Sequence, residues 1–246
     1  MGKIKWDETG KHRFETGVDK VVLYLLRYGR YSNGVPWNGI TSINESSEGA
    51  ETAPFYADDI KYLNLMSNEE FKATIEAYTY PDEFKSCIGE TALAGGIFIG
   101  QQKRSHFGVC YRTLVGNDEQ GSNEDYKIHI IFDCIASPSE KSYSTTNESP
   151  EPITYSWEIS TAPVLVPDNK PTSTLTLDSS KFRQAGAYNV LKKIEAFLYG
   201  TDSTQPQIPK FSDITDLYML ELYLRDSAND ELLDSSGNSI QSRVFD

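Results

Sequence analysis

Four carboxylates lie close together in the stretch TIEAYTYPDEFKSCIGE, residues 74–90. Three of them are Glu76, Asp82 and Glu83, and paired carboxylates at strand ends are the residues that cleave glycosidic bonds. Pro81, however, ends the strand-like pattern, and proline followed by aspartate is typical of a turn in which φ is fixed and the carboxylate accepts backbone hydrogen bonds. We therefore interpret Asp82 and Glu83 as turn residues rather than as a catalytic pair.

Other catalytic and metal-binding patterns are absent from the sequence, including the Walker loop, the dinucleotide fingerprint, HExxH and GxSxG. Cys87, Cys110 and Cys134 show no CxxC spacing. Neither His106 nor His129 lies at a strand position from which its side chain could bind the same metal ion as a cysteine. The sequence therefore predicts no enzyme activity, no cofactor and no metal site, and it favours core positions for the cysteines.

The charge of the chain argues against binding to nucleic acid. Its 36 acidic and 23 basic residues give a net charge of −13, whereas a protein that grips a phosphate backbone needs positive charge. The basic cluster at Lys103 and Arg104, near Arg112, is better interpreted as a source of surface salt bridges. The odd cysteine number favours reduced thiols in a cytoplasmic setting, and neither a signal peptide nor a membrane-spanning run is evident.

The pattern of apolar residues predicts a protein built mainly of strands. A hydrophobic fraction of 38% with 15 tyrosines suits β-structure that has extensive half-exposed surfaces. Residues 153–161 alternate most clearly, with Trp157 on the apolar side, where a core position is favoured over a sugar-binding platform. The predicted strands cover residues 20–28, 69–80, 105–115, 126–135, 153–161 and 172–177, with a hairpin between the third and fourth.

One helix is predicted at about residues 181–199, flanking the strands. Its apolar residues recur at helical spacing, Asp178, Ser179 or Ser180 is a suitable N-cap, and Gly200 occupies the position of a C-terminal glycine. A second helical candidate spans residues 212–225. Residues 29–59 contain two Asn-Gly pairs and many small polar residues, and they are predicted to form a long loop. The predicted organisation is an N-terminal arm at 1–19, a domain at 20–205 and a C-terminal arm or extension at 206–246.

Several stretches of the chain share their order and spacing with one known family. They are WNGITSINESSEGAETAPFYADDIKYLNL (37–65), EEFKATIEAYTYPDEFKSCIG (69–89), FGVCYRTLVGND (107–118), YKIHIIF (126–132), SPEPITYSWEISTAPV (149–164) and KPTSTLTLDSSK leading into LKKIEAFLYGTD (170–202). Together they resemble the major tail tube proteins of bacteriophages with long, non-contractile tails that infect Gram-positive hosts. The chain after about residue 209 departs from this pattern.

The resemblance implies a fold and an assembly. The implied fold has two antiparallel sheets that form a tail-tube-type β-sandwich or barrel with one flanking helix. Subunits of the family form hexameric rings that stack into a tube, and DNA passes through the lumen on ejection without specific binding. The implied partners are other copies of the chain and the tape-measure, distal tail and tail terminator proteins. The implied location is the virion tail, assembled in the cytoplasm of the host bacterium, with no membrane involved and no catalytic residues.

The resemblance also suggests candidate surfaces. Glu76 and Glu158 lie on the polar sides of their strands and are candidates to face the lumen, where negative charge would let DNA slide. The early loop is a candidate for contacts between rings; its residues of interest are Asn44, Glu45, Glu48 and Glu51. The alternative left open by the residues is a carbohydrate-binding β-sandwich module of a phage adsorption apparatus.

Overall fold

The computed structural model describes residues 4–119, 121–138, 141–143, 145 and 151–223. Over these residues the protein is mainly β, with antiparallel sheets and three short α-helices. The strands are β1 (Phe14–Arg27), β2 (Arg30–Tyr31), β3 (Val35–Pro36), β4 (Ile40–Gly49), β5 (Thr52–Ala57), β6 (Ile60–Met66), β7 (Glu69–Ala77), β8 (Thr91–Ala94), β9 (Ile97–Ile99), β10 (His106–Asn117), β11 (Gly121–Ala136), β12 (Tyr155–Thr161) and β13 (Thr174–Asp178). The α-helices are α1 (Ser179–Gln184), α2 (Tyr188–Tyr199) and α3 (Phe211–Tyr223).

One sheet of nine strands forms the body of the protein. Its main path runs β2-β1-β10-β11-β12-β7-β4, with β13 beside β11 and β3 beside β1. Because β12 and β13 share the same edge of β11, the sheet divides there into two wings. The predicted mainly β, antiparallel class is confirmed. Within the described residues the strands close no barrel: the nine strands form one hydrogen-bonded sheet, and the other two sheets are isolated hairpins.

The first core lies on the inner face of this sheet. Alternate residues of β1, β7, β10 and β12 meet there, and Trp157, Phe84 and Trp37 lie at its centre. The Phe84 ring lies 5.1 Å from that of Trp157 and 4.3 Å from that of Trp37, measured between centroids. Burying each such ring stabilises the fold by roughly 1.5–3 kcal/mol. The predicted core position of Trp157 is confirmed, since its side chain is 1% exposed.

The second core lies on the opposite face of the sheet, under the helices. Residues Val190, Leu191, Ile194 and Leu198 of α2 are buried against Ile128, Ile130 and their neighbours on β11. The run VVLYLL in β1 is buried at Val21–Leu25 on both faces because it separates the two cores. Alternate residues of the strand predicted at 20–28 therefore contribute to the two cores in turn.

The single predicted helix at 181–199 is two helices. Gly186 has φ 68°, a left-handed conformation that interrupts the helical backbone between α1 and α2. The predicted N-cap is confirmed at Asp178, whose carboxylate accepts from the amides of Ser180 and Lys181. The second helical candidate corresponds to α3. Ahead of it, Ile208 is buried against the second core, as is Leu217 within it. The described part of the predicted C-terminal extension thus packs on the body, and residues 224–246 lie outside the described residues.

The prediction of a long loop at 29–59 is wrong over most of its length. Residues Ile40–Gly49 form β4, which pairs with β7 from Ile40↔Ala77 to Gly49↔Glu69. Residues Thr52–Ala57 form β5, which pairs with β6. The small polar residues of this region misled the prediction because a strand with one solvent-facing side needs few apolar residues. The two strand pairs follow one another, so residues 40–77 form one long antiparallel arm, with β12 beside β7 at its base and two strands beyond.

Candidate assembly surfaces

The outer side of strands β4, β7 and β12 carries a continuous set of polar side chains. Cross-strand partners in an antiparallel ladder share a face, and the register pairs Ser42 with Glu76 and Glu76 with Ser156. The same parity holds along all three strands. We call the resulting surface the polar face; it consists of Ser42, Asn44, Ser46, Glu48, Glu70, Lys72, Thr74, Glu76, Ser156, Glu158 and Ser160.

Both candidate lumen residues, Glu76 and Glu158, lie on the polar face. The Glu76 carboxylate accepts a hydrogen bond of 2.9 Å from the Ser42 hydroxyl. Glu158 is exposed, and its strand partner is Thr74 rather than Glu76. The opposite sides of the same strands carry Ile75 and Trp157, so burial of the first core forces the two acids outward.

The polar face is acidic and carries one cation. Glu48, Glu70, Glu76 and Glu158 give four negative charges against the single positive charge of Lys72. The Lys72 ammonium lies 2.5 Å from a carboxylate oxygen of Glu48. That hydrogen bond, with the charges of Glu70 and Glu158, raises the pKa of Lys72. The cation is therefore already satisfied by protein carboxylates.

The four candidate inter-ring residues do not share one surface. Asn44 and Glu48 lie on the polar face. Glu45 pairs with Ala73 on the inner side of the ladder, where its carboxylate accepts from the Tyr111 hydroxyl at 2.5 Å. Glu51 lies at the link between β4 and β5, where its amide donates to the Ser67 hydroxyl at 3.1 Å. The strand structure therefore places these four residues on different surfaces, whereas the prediction of a loop had grouped them on one.

The hairpin of β5 and β6 has an apolar face that its own chain leaves exposed. Its register pairs Ala53 with Leu65, Phe55 with Leu63 and Ala57 with Ile60, with a bulge at Tyr62 that keeps these residues on one side. Phe55 is 50% exposed, Ile60 64% and Leu65 57%. We call this set the hairpin face; it consists of Ala53, Phe55, Ala57, Ile60, Leu63 and Leu65. A two-stranded hairpin is marginally stable alone in water, and exposed apolar faces of this kind are typical of interaction sites.

A second, smaller hairpin joins β8 to β9. It pairs Thr91 with Ile99 and Ala92 with Phe98. Leu93 is 70% exposed and Ile97 54%. The Lys85 ammonium lies 4.0 Å from the centre of the Phe98 ring and attaches this hairpin to the body.

The acids that first indicated chemistry are not brought together as a catalytic pair. Asp82 and Glu83 begin a 3₁₀ helix at Asp82–Ser86, with Pro81 in extended conformation before it. The Asp82 side chain is 88% exposed and lies 2.7 Å from the Lys85 ammonium. Their interpretation as residues of a turn-like connection is confirmed by this short helix.

The predicted core positions of the cysteines are confirmed. Cys87, Cys110 and Cys134 are free and fully buried. Burial raises the pKa of the Cys87 and Cys110 thiols to about 12, so neither is a reactive thiolate at neutral pH. Among the described residues no group of three or more histidine, cysteine, aspartate or glutamate side chains is arranged to hold a metal ion.

The basic residues of the body are engaged in local contacts. Arg104 donates to the backbone oxygen of Ala136. Arg112 donates to both carboxylate oxygens of Asp19, at 2.8 and 2.6 Å. Arg112 thus forms a salt bridge of the predicted kind, whereas the Arg104 contact is a hydrogen bond to a backbone carbonyl. Over the described part of the chain, no helix has the length and apolar character needed to span a membrane.

Comparison with known proteins adds no relative. A scan against protein-family models gives no match to the chain. A search of curated proteins gives no match either.

The hairpin face is the feature that sequence reasoning missed. Its signal is the alternation of Ala53, Phe55 and Ala57, followed by Asp58-Asp59 and a second apolar run. Both aspartates have positive φ, 53° and 60°, the backbone of a two-residue type I′ turn. Glycine or asparagine usually marks such turns, and two aspartates are a weaker signal.

Proposed function

We propose that this protein is a major tail tube subunit of a long-tailed bacteriophage. Copies assemble into hexameric rings that stack into a tube, and phage DNA is ejected through it. The observation that carries the proposal is the hairpin face, an ordered apolar surface that the described residues of its own chain leave uncovered. In a self-assembling protein, a neighbouring copy can cover such a surface.

The polar face supports a role for this protein as the lining of a DNA channel. Its four carboxylates repel phosphate, and its one cation, Lys72, is held by Glu48. We propose that Glu76 and Glu158 face the lumen and that DNA slides past them without binding. The proposal includes the tape-measure, distal tail and tail terminator proteins as partners, a location in the virion tail, and no enzyme activity.

The carbohydrate-binding alternative has less support. Trp157, the ring first considered for a sugar platform, is buried in the first core, and so is Trp37. The exposed rings Phe55 and Tyr56 lie on the hairpin that we propose as an assembly surface. Negative-stain microscopy of concentrated protein separates the two functions. Tubes or rings support the tail tube, whereas persistent monomers that bind cell-wall glycans would support the alternative.

Deletion of the hairpin tests the observation that carries the proposal. The Ser67 amide donates to the Glu51 oxygen at 3.0 Å, so the two ends of the hairpin already lie together. Replacing Thr52–Met66 with Asn-Gly should therefore close β4 onto β7 with a tight turn. We expect a folded monomer by circular dichroism that forms no tubes. Tubes of normal length from this variant would exclude the hairpin as an assembly element.

Charge reversal tests the lumen. Glu158→Lys adds a cation to the polar face and should leave tubes intact while slowing DNA ejection from virions. Glu83→Lys is the matched control, because Glu83 is exposed at the start of the 3₁₀ helix, away from the polar face. Equal ejection by both variants would remove Glu158 from the lumen.

A further inference from the structure

A groove lies beside the exposed edge of β1. Its volume is about 580 Å³, and its lining includes Val21, Trp37, Ile40, Tyr199 and Pro206. The Trp37 indole donates to the Thr79 oxygen at 2.9 Å, which fixes this wall of the groove. The lining thus combines an apolar part, held by the body of the protein, with the polar residues Asp19, Lys20 and Asn38.

The groove carries an excess of positive charge, because the single carboxylate of Asp19 interacts both with Lys20 beside it and with Arg112. Asp19 and Lys20 are its charged lining residues. The Asp19 carboxylate is engaged by Arg112 through two hydrogen bonds. Lys20 is exposed, and its ammonium lies 5.6 Å from the centre of the Tyr199 ring. The register of β1 with β10 shifts around Lys20, whose φ is 49°, and bulges of this kind redirect side chains beside functional sites.

The tip of the β5–β6 hairpin has the complementary character. Asp58 and Asp59 form its turn, and both are exposed. Tyr56 is 69% exposed and Ile60 64% directly beside them. The tip thus presents two carboxylates flanked by large apolar side chains, whereas the groove presents one ammonium flanked by an apolar wall.

The groove and the tip lie at opposite ends of the same arm. Ile40, which lines the groove, is the first residue of β4, and the hairpin continues beyond Gly49 at the other end. At about 3.3 Å per residue, the ten residues of β4 and six of β5 separate the two by roughly 50 Å. A contact between two different surfaces at opposite ends of a subunit adds copies head to tail without a fixed limit.

We propose that the hairpin tip of one copy binds the β1 groove of another, with Asp58 and Asp59 facing Lys20. The interaction rests on the proposed function and specifies its axial contact: the groove accepts the tip from the next ring. Phe55 and Ile60 supply the apolar surface that packs on Ile40 and Pro206.

Charge exchange tests the pairing. Lys20→Glu places like charges together, which should raise the protein concentration needed for tube formation by more than about tenfold. Combining Lys20→Glu with Asp58→Lys and Asp59→Lys should restore tubes. Lys193→Glu, on the exposed side of α2, is the matched control and should assemble normally. Normal tubes from Lys20→Glu would overturn the pairing, as would no recovery in the combined variant despite native circular dichroism.

Cross-linking tests the geometry without relying on charge. The native cysteines are buried, so a chain carrying Lys20→Cys and Asp59→Cys offers two accessible thiols. Oxidation of its tubes should give a ladder of linked chains that extends past the size of one ring. A ladder that stops at one ring, or no cross-link in intact tubes, would overturn the axial contact alone. Failure of the wild-type chain to form any tube would overturn the proposed function as well.

Discussion

The strand pair β7–β12 and the hairpin β5–β6 both alternate apolar and polar residues, yet they differ in what covers the apolar side. Ile75 and Trp157 are buried in the first core, whereas at least half of Phe55 and of Leu65 is exposed, at 50% and 57%. The first pair spends its apolar surface on the stability of the monomer. The second leaves its apolar surface exposed, and we propose that another copy covers it. The comparison shows that alternation predicts a strand with one apolar and one polar side, but does not predict what the apolar side contacts.

The largest expected effect is in the core. Trp157→Ala removes a side chain that is 1% exposed and packed on Phe84 and Trp37, so the free energy of unfolding should fall by about 3–5 kcal/mol. Urea denaturation followed by circular dichroism measures the change. If the free energy of unfolding falls by less than about 1 kcal/mol, Trp157 is not the buried core residue that distinguishes β7–β12 from the exposed hairpin.

A smaller loss is expected at the helix that covers the second core. Asp178→Ala removes the N-cap of α1 and should lower the free energy of unfolding by about 1 kcal/mol. Asp178→Asn is the matched control because an asparagine oxygen can still accept from the amides of Ser180 and Lys181. Equal losses in the two variants would indicate that the charge, rather than the cap hydrogen bonds, stabilises the helix.

Acid should weaken the body through Asp19. Hydrogen bonds from Arg112 lower the pKa of Asp19 below its ordinary value of 3.8. Because the folded-state pKa is the lower one, this contribution is present above the unfolded value and is lost as the pH falls through the folded one. The urea midpoints of wild type and Asp19→Asn should therefore converge between about pH 6 and about pH 2. A constant difference over that range would show that the Asp19 charge does not contribute.

The smallest effect on folding is expected in the hairpin. Replacing Phe55, Leu63 and Leu65 with serine should change the free energy of unfolding of the monomer by no more than about 0.5 kcal/mol per site, since each is partly or largely exposed. Sedimentation should nevertheless show that tubes are lost. Destabilisation similar to that of Trp157→Ala would mean that the hairpin face is covered by its own chain.

Much of the body could be predicted from the sequence, because local patterns there coincide with burial. The alternation at 153–161 and the run VVLYLL both correspond to observed strands, and Asp178 caps a helix as its residue type and position predict. The arm at 40–77 could not be predicted as a unit. The polar residues of β4 have the composition of a loop. Only their pairing with β7 shows that they form a strand rather than a loop.

The sequence by itself determined the mainly β class, the burial of the cysteines and of Trp157, and the break in strand pattern at Pro81 that precedes Asp82 and Glu83. These follow from side-chain type and strand parity, which are local. Only the tertiary structure decided that the acids of three strands form one polar face, that Glu45 turns inward to Tyr111, and that a groove and a hairpin tip lie at opposite ends of one arm. Those properties depend on register between distant segments, which the order of residues along one strand does not contain.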